Sequence, residues 1–273
     1  MVSHRIVSGR ATLAADVGGS GAPVVFLHAN VCDSRMWRTQ VDRVGTSNTA
    51  IAYDRRGFGE TRAEKEDFSA VADLMAVLDA TTNGAPAILV GCSQGGRIAL
   101  DAALLHPSRV RAMVLIAPTV SGAPGPIYPP DIAGLMARLK QAEAARAWDQ
   151  VNAIKACLFL DGPRAPEGRV MGEARRLFLE MHGVALNSPP VGASRDDATA
   201  FSRLGDITVP TLVIWGDLDF PHVQERSRHV ATAMPNGAGH VLTGAAHLPS
   251  LERPADVTGL LTDFINRCSS RKG

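Results

Sequence analysis

Four short runs of almost wholly apolar and β-branched residues punctuate the first half of the chain: Val24 to His28, Thr49 to Asp54, Ala87 to Cys92 and Ala112 to Pro118. A strand with no polar alternate face must be buried on both sides, and a parallel sheet covered by helices provides that environment. Longer amphipathic stretches lie between the runs, around Trp37 to Val44, Phe68 to Ala80 and Gln94 to His106. Pro107 stops the last of these, since proline cannot continue a helix. The alternation predicts an α/β protein, a mostly parallel sheet flanked by helices. The segment from Ile6 to Gly19 reads as an antiparallel hairpin at the sheet's edge.

The pattern breaks after the sixth expected strand. From about Thr119 to Asp206 the chain carries Pro124, Pro126, Pro129 and Pro130, then segments of helical period. Leu135, Leu139 and Ala142 recur at helical spacing, as do Trp148, Val151, Ile154 and Leu158. Strand character returns with Thr211 to Asp217 and again with His240 to Ala245, and a final helix is expected to end near Arg267. Residues 1–118 and 207–273 are therefore expected to form one core, with 119–206 inserted as a helical cap over the strand ends.

Composition narrows the classes of function. The 273 residues carry a net charge of +1, with 45% hydrophobic and 20% charged residues, as expected of a globular domain with a sizeable core. Nucleic acid is not an expected partner, because its binding needs clustered Lys and Arg. The one basic cluster, Arg271-Lys272 after Arg267, reads as a solvated tail. The opening MVSHRIVSGR lacks the apolar segment of a secretion signal, and no run approaches the roughly 18 apolar residues of a spanning helix. A cytoplasmic protein without a membrane partner is the expectation. Cys32, Cys92, Cys157 and Cys268 read as reduced thiols. No metal and no organic cofactor are expected, and the expected partner is a small-molecule substrate. The sequence is compatible with a homo-oligomer without specifying one.

The segment Gly91-Cys92-Ser93-Gln94-Gly95-Gly96 follows a buried strand and opens a helix. Small residues at both ends of G-x-S-x-G permit a tight, strained strand-to-helix turn that lifts the serine hydroxyl clear of the sheet. The helix N-terminus behind it favours developing negative charge. Serine needs a base, and the base needs an orienting acid. In this class of turn they follow in the order Ser, Asp or Glu, His. His247 lies in a loop after the last strand, whereas His222, His229 and His240 fall on a helix or inside a strand. Asp217 and Asp219 both lie at a strand end, and the residues alone leave the choice between them open. Asp54 precedes Arg55-Arg56-Gly57-Phe58-Gly59, a turn where an Asp–Arg pair is expected to be structural. An oxyanion hole would use the amide of Gln94 and one from His28-Ala29-Asn30.

Taken together, LHANVCDSRMW, YDRRGFGE, LVGCSQGGRIAL, HPSRV, VIWGDLD and AAHLPSLERP resemble, in order and spacing, the α/β-hydrolase superfamily. The resemblance covers nearly the whole chain and is nearest to the branch of 3-oxoadipate enol-lactonases and small-molecule esterases. It implies Asp219 as the acid, His247 as the base and the Asn30 amide in the oxyanion hole. The chain departs from the family at Ala29, where glycine is usual. A serine at position 93 argues against haloalkane dehalogenases and epoxide hydrolases, which place Asp there.

The expected reaction is cleavage of an ester or lactone through an acyl-enzyme on Ser93. The alternatives are a carbon–carbon hydrolase acting on a dienoate-like ketone, or a non-catalytic ligand receptor. Arg35 is a candidate for a substrate carboxylate, and Trp148, Phe159, Phe178 and Met181 for the pocket roof. Phe201 belongs with these large apolar residues of the cap, and Arg97, on the helix after the serine turn, with Arg35. For all of these a structural role is the simpler expectation.

Overall fold

The computed structural model describes residues 1–270. Arg271 and Lys272 of the expected solvated tail lie outside the described residues. Among the described residues the strands are β1 (Val2–Ser8), β2 (Ala11–Gly18), β3 (Pro23–Leu27), β4 (Thr49–Tyr53), β5 (Arg62–Ala63), β6 (Ala87–Cys92), β7 (Val110–Ile116), β8 (Thr211–Gly216) and β9 (Gly237–Leu242). They form one sheet in the order β1-β2-β4-β3-β6-β7-β8-β9, with β5 paired to β2. Strand β2 is antiparallel to its neighbours, and every pairing from β4 across to β9 is parallel. The insertion thus follows a seventh strand rather than a sixth. The extra one is β5, only two residues long, paired as Ala11 with Ala63 and Thr12 with Arg62. Two residues carry no periodicity, so the sequence could not announce it.

Strands β3, β6 and β8 are buried at every residue, the condition their apolar composition required. Alternate residues feed two apolar layers. Val25, Leu27, Leu89 and Leu115 pack with Leu74 of α2 (Ala70–Thr82) and Leu100 of α3 (Gln94–Leu105). Val24, Phe26, Val90 and Val114 pack with Val41 of α1 (Arg38–Val44) and, from the far end of the chain, with Leu261 and Phe264.

The insertion contributes α4 (Pro130–Ala144), α5 (Trp148–Lys155), a π-helical continuation over Ala156–Asp161, and α6 (Gly172–Asn187). Leu139, Ala142, Val151, Ile154, Leu158, Phe178 and Met181 join the second layer, so cap and sheet share one apolar cluster. Residues 188–206 run back along the core instead. The Asp196 carboxylate accepts the Ser69 hydroxyl at 2.5 Å and the Val71 amide at 3.0 Å at the start of α2. After β8 come α7 (Pro221–Ala233), α8 (Pro249–Glu252) and α9 (Pro254–Ser270). No helix among the described residues is long and apolar enough to cross a membrane.

The strand order reverses between β3 and β6, and the crevice beyond the carboxyl ends of strands at such a point is where open α/β sheets take ligands. The residues that follow these two strands are His28 to Asn30 and Ser93.

Candidate active site

Ser93 sits at φ 52°, ψ −113°, the one left-handed residue in the turn between β6 and α3. Such a conformation costs a non-glycine residue about 1–3 kcal/mol and persists only when its surroundings hold it. Here the Ser93 amide donates to the Ile116 carbonyl at 2.9 Å, and the Ser93 carbonyl accepts the Thr119 amide at 3.1 Å. The flanking glycines are required by contact. A methyl at Gly91 would lie 2.5 Å from the Gly95 carbonyl oxygen, and one at Gly95 would overlap the Leu27 carbonyl. A methyl at Gly96 would lie 2.9 Å from Pro118 Cβ. Every small residue of the motif is explained by backbone crowding around the raised serine.

Gln94 is the first residue of α3, so its amide has no carbonyl one turn back to bond. Asn30 follows β3 and lines the same cavity as Gln94. His28 fixes the Asn30 loop: its Nε2 accepts the Arg55 amide at 3.0 Å and its Nδ1 lies 2.8 Å from the Ala29 carbonyl. Burial, followed by the Arg55 charge, holds the His28 pKa well below the usual imidazole value, so the ring is neutral. Ala29 is fully buried, lies outside the left-handed region, and its amide points at Met36 Sδ, 3.4 Å away. Alanine in place of the family's usual glycine therefore costs no backbone strain.

His247 lies on the loop after β9, and its carbonyl is 3.7 Å from Cys92 Sγ, beside the elbow. His247 Nδ1 and Asp219 Oδ2 are 2.7 Å apart, both side chains almost wholly buried. The other Asp219 oxygen accepts the Phe220 amide at 2.7 Å. Asp217, two residues earlier, is exposed and accepts the Gly244 amide at 2.7 Å. One carboxylate thus orients the imidazole, while its neighbour braces the turn that presents it. Among the described residues no hydrogen bond joins Ser93 Oγ to His247. The hydrogen bonds of the present site are those that position the imidazole and the turn. Burial pushes the Cys92 thiol up and the Asp219 charge adds to it, so this neighbour of the serine is not a competing thiolate.

The other residues singled out in the sequence separate clearly. Phe159 is partly buried, with its ring 5.2 Å from that of His247 and 5.6 Å from Phe220. Phe178 and Met181 are fully buried in the cap–sheet cluster. Trp148 is 36% exposed at the first position of α5. Arg35 is paired with Asp33 at 2.7 Å, which holds its pKa above the ordinary arginine value. Arg97 donates to the Asp196 carbonyl at 3.0 Å, and Phe201 stacks on His229 at 4.9 Å. Asp54 is structural, but not through an arginine. It accepts the Ser34 amide at 2.9 Å from the loop after β3 and the Glu60 amide at 2.8 Å from the turn, so its carboxylate ties the two loops together.

Several neighbours of the site escaped the sequence reading. Phe220 is buried between Phe159, Tyr128 and His222, with ring centroids 5.6, 6.0 and 5.4 Å away. Its position directly after Asp219 was the available signal. Tyr128 lies in the proline-rich stretch, which offered no periodicity to read. Tyr53 and Arg55 fall in the expected strand and turn, where the sequence gives no sign of a further role. Among the described residues no three His, Cys, Asp or Glu side chains gather to hold a metal ion.

An open, mostly parallel sheet with a serine on a strained strand-to-helix turn and a buried Asp–His pair at the adjoining strand ends defines a hydrolase class. Residues 24–260 match the model of the alpha/beta hydrolase family, and the chain belongs to that family. It is 27% identical over 278 residues to a 2-(acetamidomethylene)succinate hydrolase of Mesorhizobium japonicum, covering 97% of this chain and 95% of that protein. It is 26% identical over 263 residues to a pimeloyl-acyl-carrier protein methyl ester esterase of Yersinia enterocolitica, covering 93% and 96%. Among solved structures it is similar to the N-acyl homoserine lactone degrading enzyme Est816, with a TM-score of 0.75, 23% identity, and 96% and 100% of the two chains covered.

Proposed function

We propose that this protein cleaves a small-molecule ester or lactone through an acyl-enzyme on Ser93. The observation that carries this reading is the buried 2.7 Å Asp219–His247 pair beside the serine turn. In the proposed cycle His247 takes the Ser93 proton as the oxygen attacks the carbonyl. Asp219 holds the imidazole in the Nδ1–H tautomer and stabilises the imidazolium. The Asn30 and Gln94 amides receive the negative charge on the carbonyl oxygen. His247 then returns its proton to the leaving oxygen, and water attacks the acyl group with the same histidine as base. The methyl ester esterase among the chain's relatives is consistent with an oxygen leaving group. The roles of all five residues belong to this proposal.

The test is labelling with a fluorophosphonate together with turnover of a panel of short-chain esters and lactones. Labelling at Ser93 alone, with labelling and turnover both lost in Ser93→Ala, is expected. A protein that neither labels nor turns over any member of the panel would remove the reading in favour of a receptor. Turnover that persists in Ser93→Ala would point to a carbon-centred or water-based mechanism.

A further inference from the structure

Two adjacent arginines follow β4, and they are treated oppositely by the fold. Arg56 is buried and fully satisfied: it meets Asp73 at 2.8 and 3.0 Å, Glu66 at 2.6 Å and the Ser8 carbonyl at 2.8 Å. Arg55 has no acid partner among the described residues. Its Nε is enclosed without a hydrogen bond, and the one polar neighbour of its Nη2 is His28 Nδ1, 3.5 Å away. That neighbour cannot accept. His28 Nε2 already accepts the Arg55 amide, so the proton of the neutral ring sits on Nδ1, which gives it to the Ala29 carbonyl. The guanidinium therefore faces a second donor. It rests on the Phe58 ring, 4.7 Å from its centroid.

A second unpartnered donor lies beside it. Tyr53 is 1% exposed, and its hydroxyl has no hydrogen-bond partner. Both residues line a cavity of about 180 Å³ whose wall also includes Asn30, Gln94, Phe58, Phe68 and Val191. That is smaller than the roughly 300–1,000 Å³ that encloses a whole ligand, and is the scale of a subsite. Arg56, on the same wall, is already held by Asp73 and Glu66, which leaves Arg55 as the lining cation without a carboxylate partner among the described residues. Burial alone lowers the Arg55 pKa to about 10, so the group stays cationic near neutral pH. A half-buried guanidinium with an enclosed, unpaired Nε, beside a buried hydroxyl without an acceptor, carries a desolvation cost that an anion would relieve.

We propose that Arg55 and Tyr53 form an anion subsite that holds a free carboxylate carried by the substrate. The apolar wall of Phe58, Phe68 and Val191 suits a short aliphatic chain, and Asn30 and Gln94, whose amides are proposed to receive the carbonyl oxygen, line the same cavity. The substrate class is an ester or lactone with a carboxylate a few carbons from the reacting carbonyl. The word substrate here rests on the hydrolase reading above; the subsite itself does not.

The test compares para-nitrophenyl half-esters of succinate, glutarate and adipate with para-nitrophenyl butyrate, valerate and hexanoate, each corrected for its uncatalysed rate. The ratio of kcat/KM, half-ester over neutral ester, is expected to exceed one for at least one chain length. It should fall about thirty-fold or more in Arg55→Met and about ten-fold in Tyr53→Phe. Arg55→Lys, which keeps a cation, should retain more of the ratio than Arg55→Met. A ratio unchanged in Arg55→Met, or a wild type that prefers the neutral ester at every length, overturns the proposal. Calorimetric binding of glutarate to the Ser93→Ala protein, with and without Arg55→Met, separates the two readings. Binding that depends on Arg55, together with a wild type that turns over no ester, keeps the subsite and retires the hydrolase. Binding indifferent to Arg55 removes the subsite and leaves the hydrolase standing.

Discussion

The sheet and the cap hold their parts of the site by different means. On the sheet, position comes from backbone geometry: two strands end side by side, glycines allow the chain to close on itself, and Ser93 is raised by crowding that no side chain could share. In the cap, position comes from buried polar side chains. Arg169 donates to the Leu160 and Asp161 carbonyls at 3.0 and 2.6 Å, to the Gly244 carbonyl at 3.0 Å, and to the Glu252 carboxylate. Glu252 in turn accepts the Ala246 amide at 2.5 Å. One arginine thus ties the π-helical turn of the cap to the loop that carries His247. A backbone-built site tolerates almost no local substitution, whereas a site tied by ion pairs can be loosened by degrees.

The comparison breaks first, if it breaks, at the acid. Replacing the triad acid of a serine protease by its amide cost about 10⁴ in rate, and Asp219→Asn is expected to lose a similar factor in single-turnover ester cleavage. Asp217→Asn should lose no more than about a decade, or 1.4 kcal/mol, because that carboxylate reaches only the Gly244 amide. Circular dichroism must show both variants folded. The reverse order of effects would make the brace the acid and require another arrangement of the loop.

The tie between the cap and the loop that carries His247 gives the next effect. Arg169→Met leaves a buried Glu252 without its cation, and breaking one side of such a pair typically costs about 3–5 kcal/mol. Urea unfolding should register a loss on that scale, at its lower end because Arg169 is 22% exposed. Rates should fall less than for Asp219→Asn. If Arg169→Met is as dead as Asp219→Asn yet fully stable, the cap takes part in the chemistry and the contrast fails.

A smaller effect should appear with pH. His182, in the cap, is buried beside Phe178 and bonded to Asn152 at 2.9 Å, and burial, then Lys155, holds its pKa down to about 4. The unfolded chain, with an ordinary imidazole near 6.5, takes up the proton first as pH falls. The stability that His182 contributes is complete above about 6.5 and lost progressively down to about 4, at most about 3 kcal/mol over the window. Urea midpoints at pH 7, 6 and 5 should fall more steeply in the wild type than in His182→Gln. Equal slopes would remove the assignment.

Least affected should be Trp148→Ala. The indole is 36% exposed at the start of α5, so stability should change by about 0.5 kcal/mol or less and kcat/KM should hold. A large loss in kcat/KM would place that residue over the pocket after all.

Much of this molecule was legible before folding. Strands buried on both faces must be continuous apolar runs, so β3, β4, β6 and β7 stand out to within two residues. The serine turn has a local signature, because its small residues flank the serine, although two of them are required by contacts with Leu27 and Pro118. The cap helices showed their periodicity, since each buries a single stripe. The choice between Asp217 and Asp219 was not readable from the residues alone. Both end the same strand, and which one meets His247 depends on a turn closed by an amide 27 residues away. Phe159 against His247, and Trp148 turned outward, belong to the same kind of fact, because a helical stripe names a face without naming what it covers. Arg55 and Arg56 make the point most sharply. They are chemically identical neighbours in YDRRGFGE, yet among the described residues one finds two carboxylates and the other none. The sequence determined the sheet and the small-residue signature of the serine turn, because these follow from burial on two faces and from a local motif. Only the tertiary structure decided which charges meet, because ion pairing depends on distances between segments that no local pattern encodes.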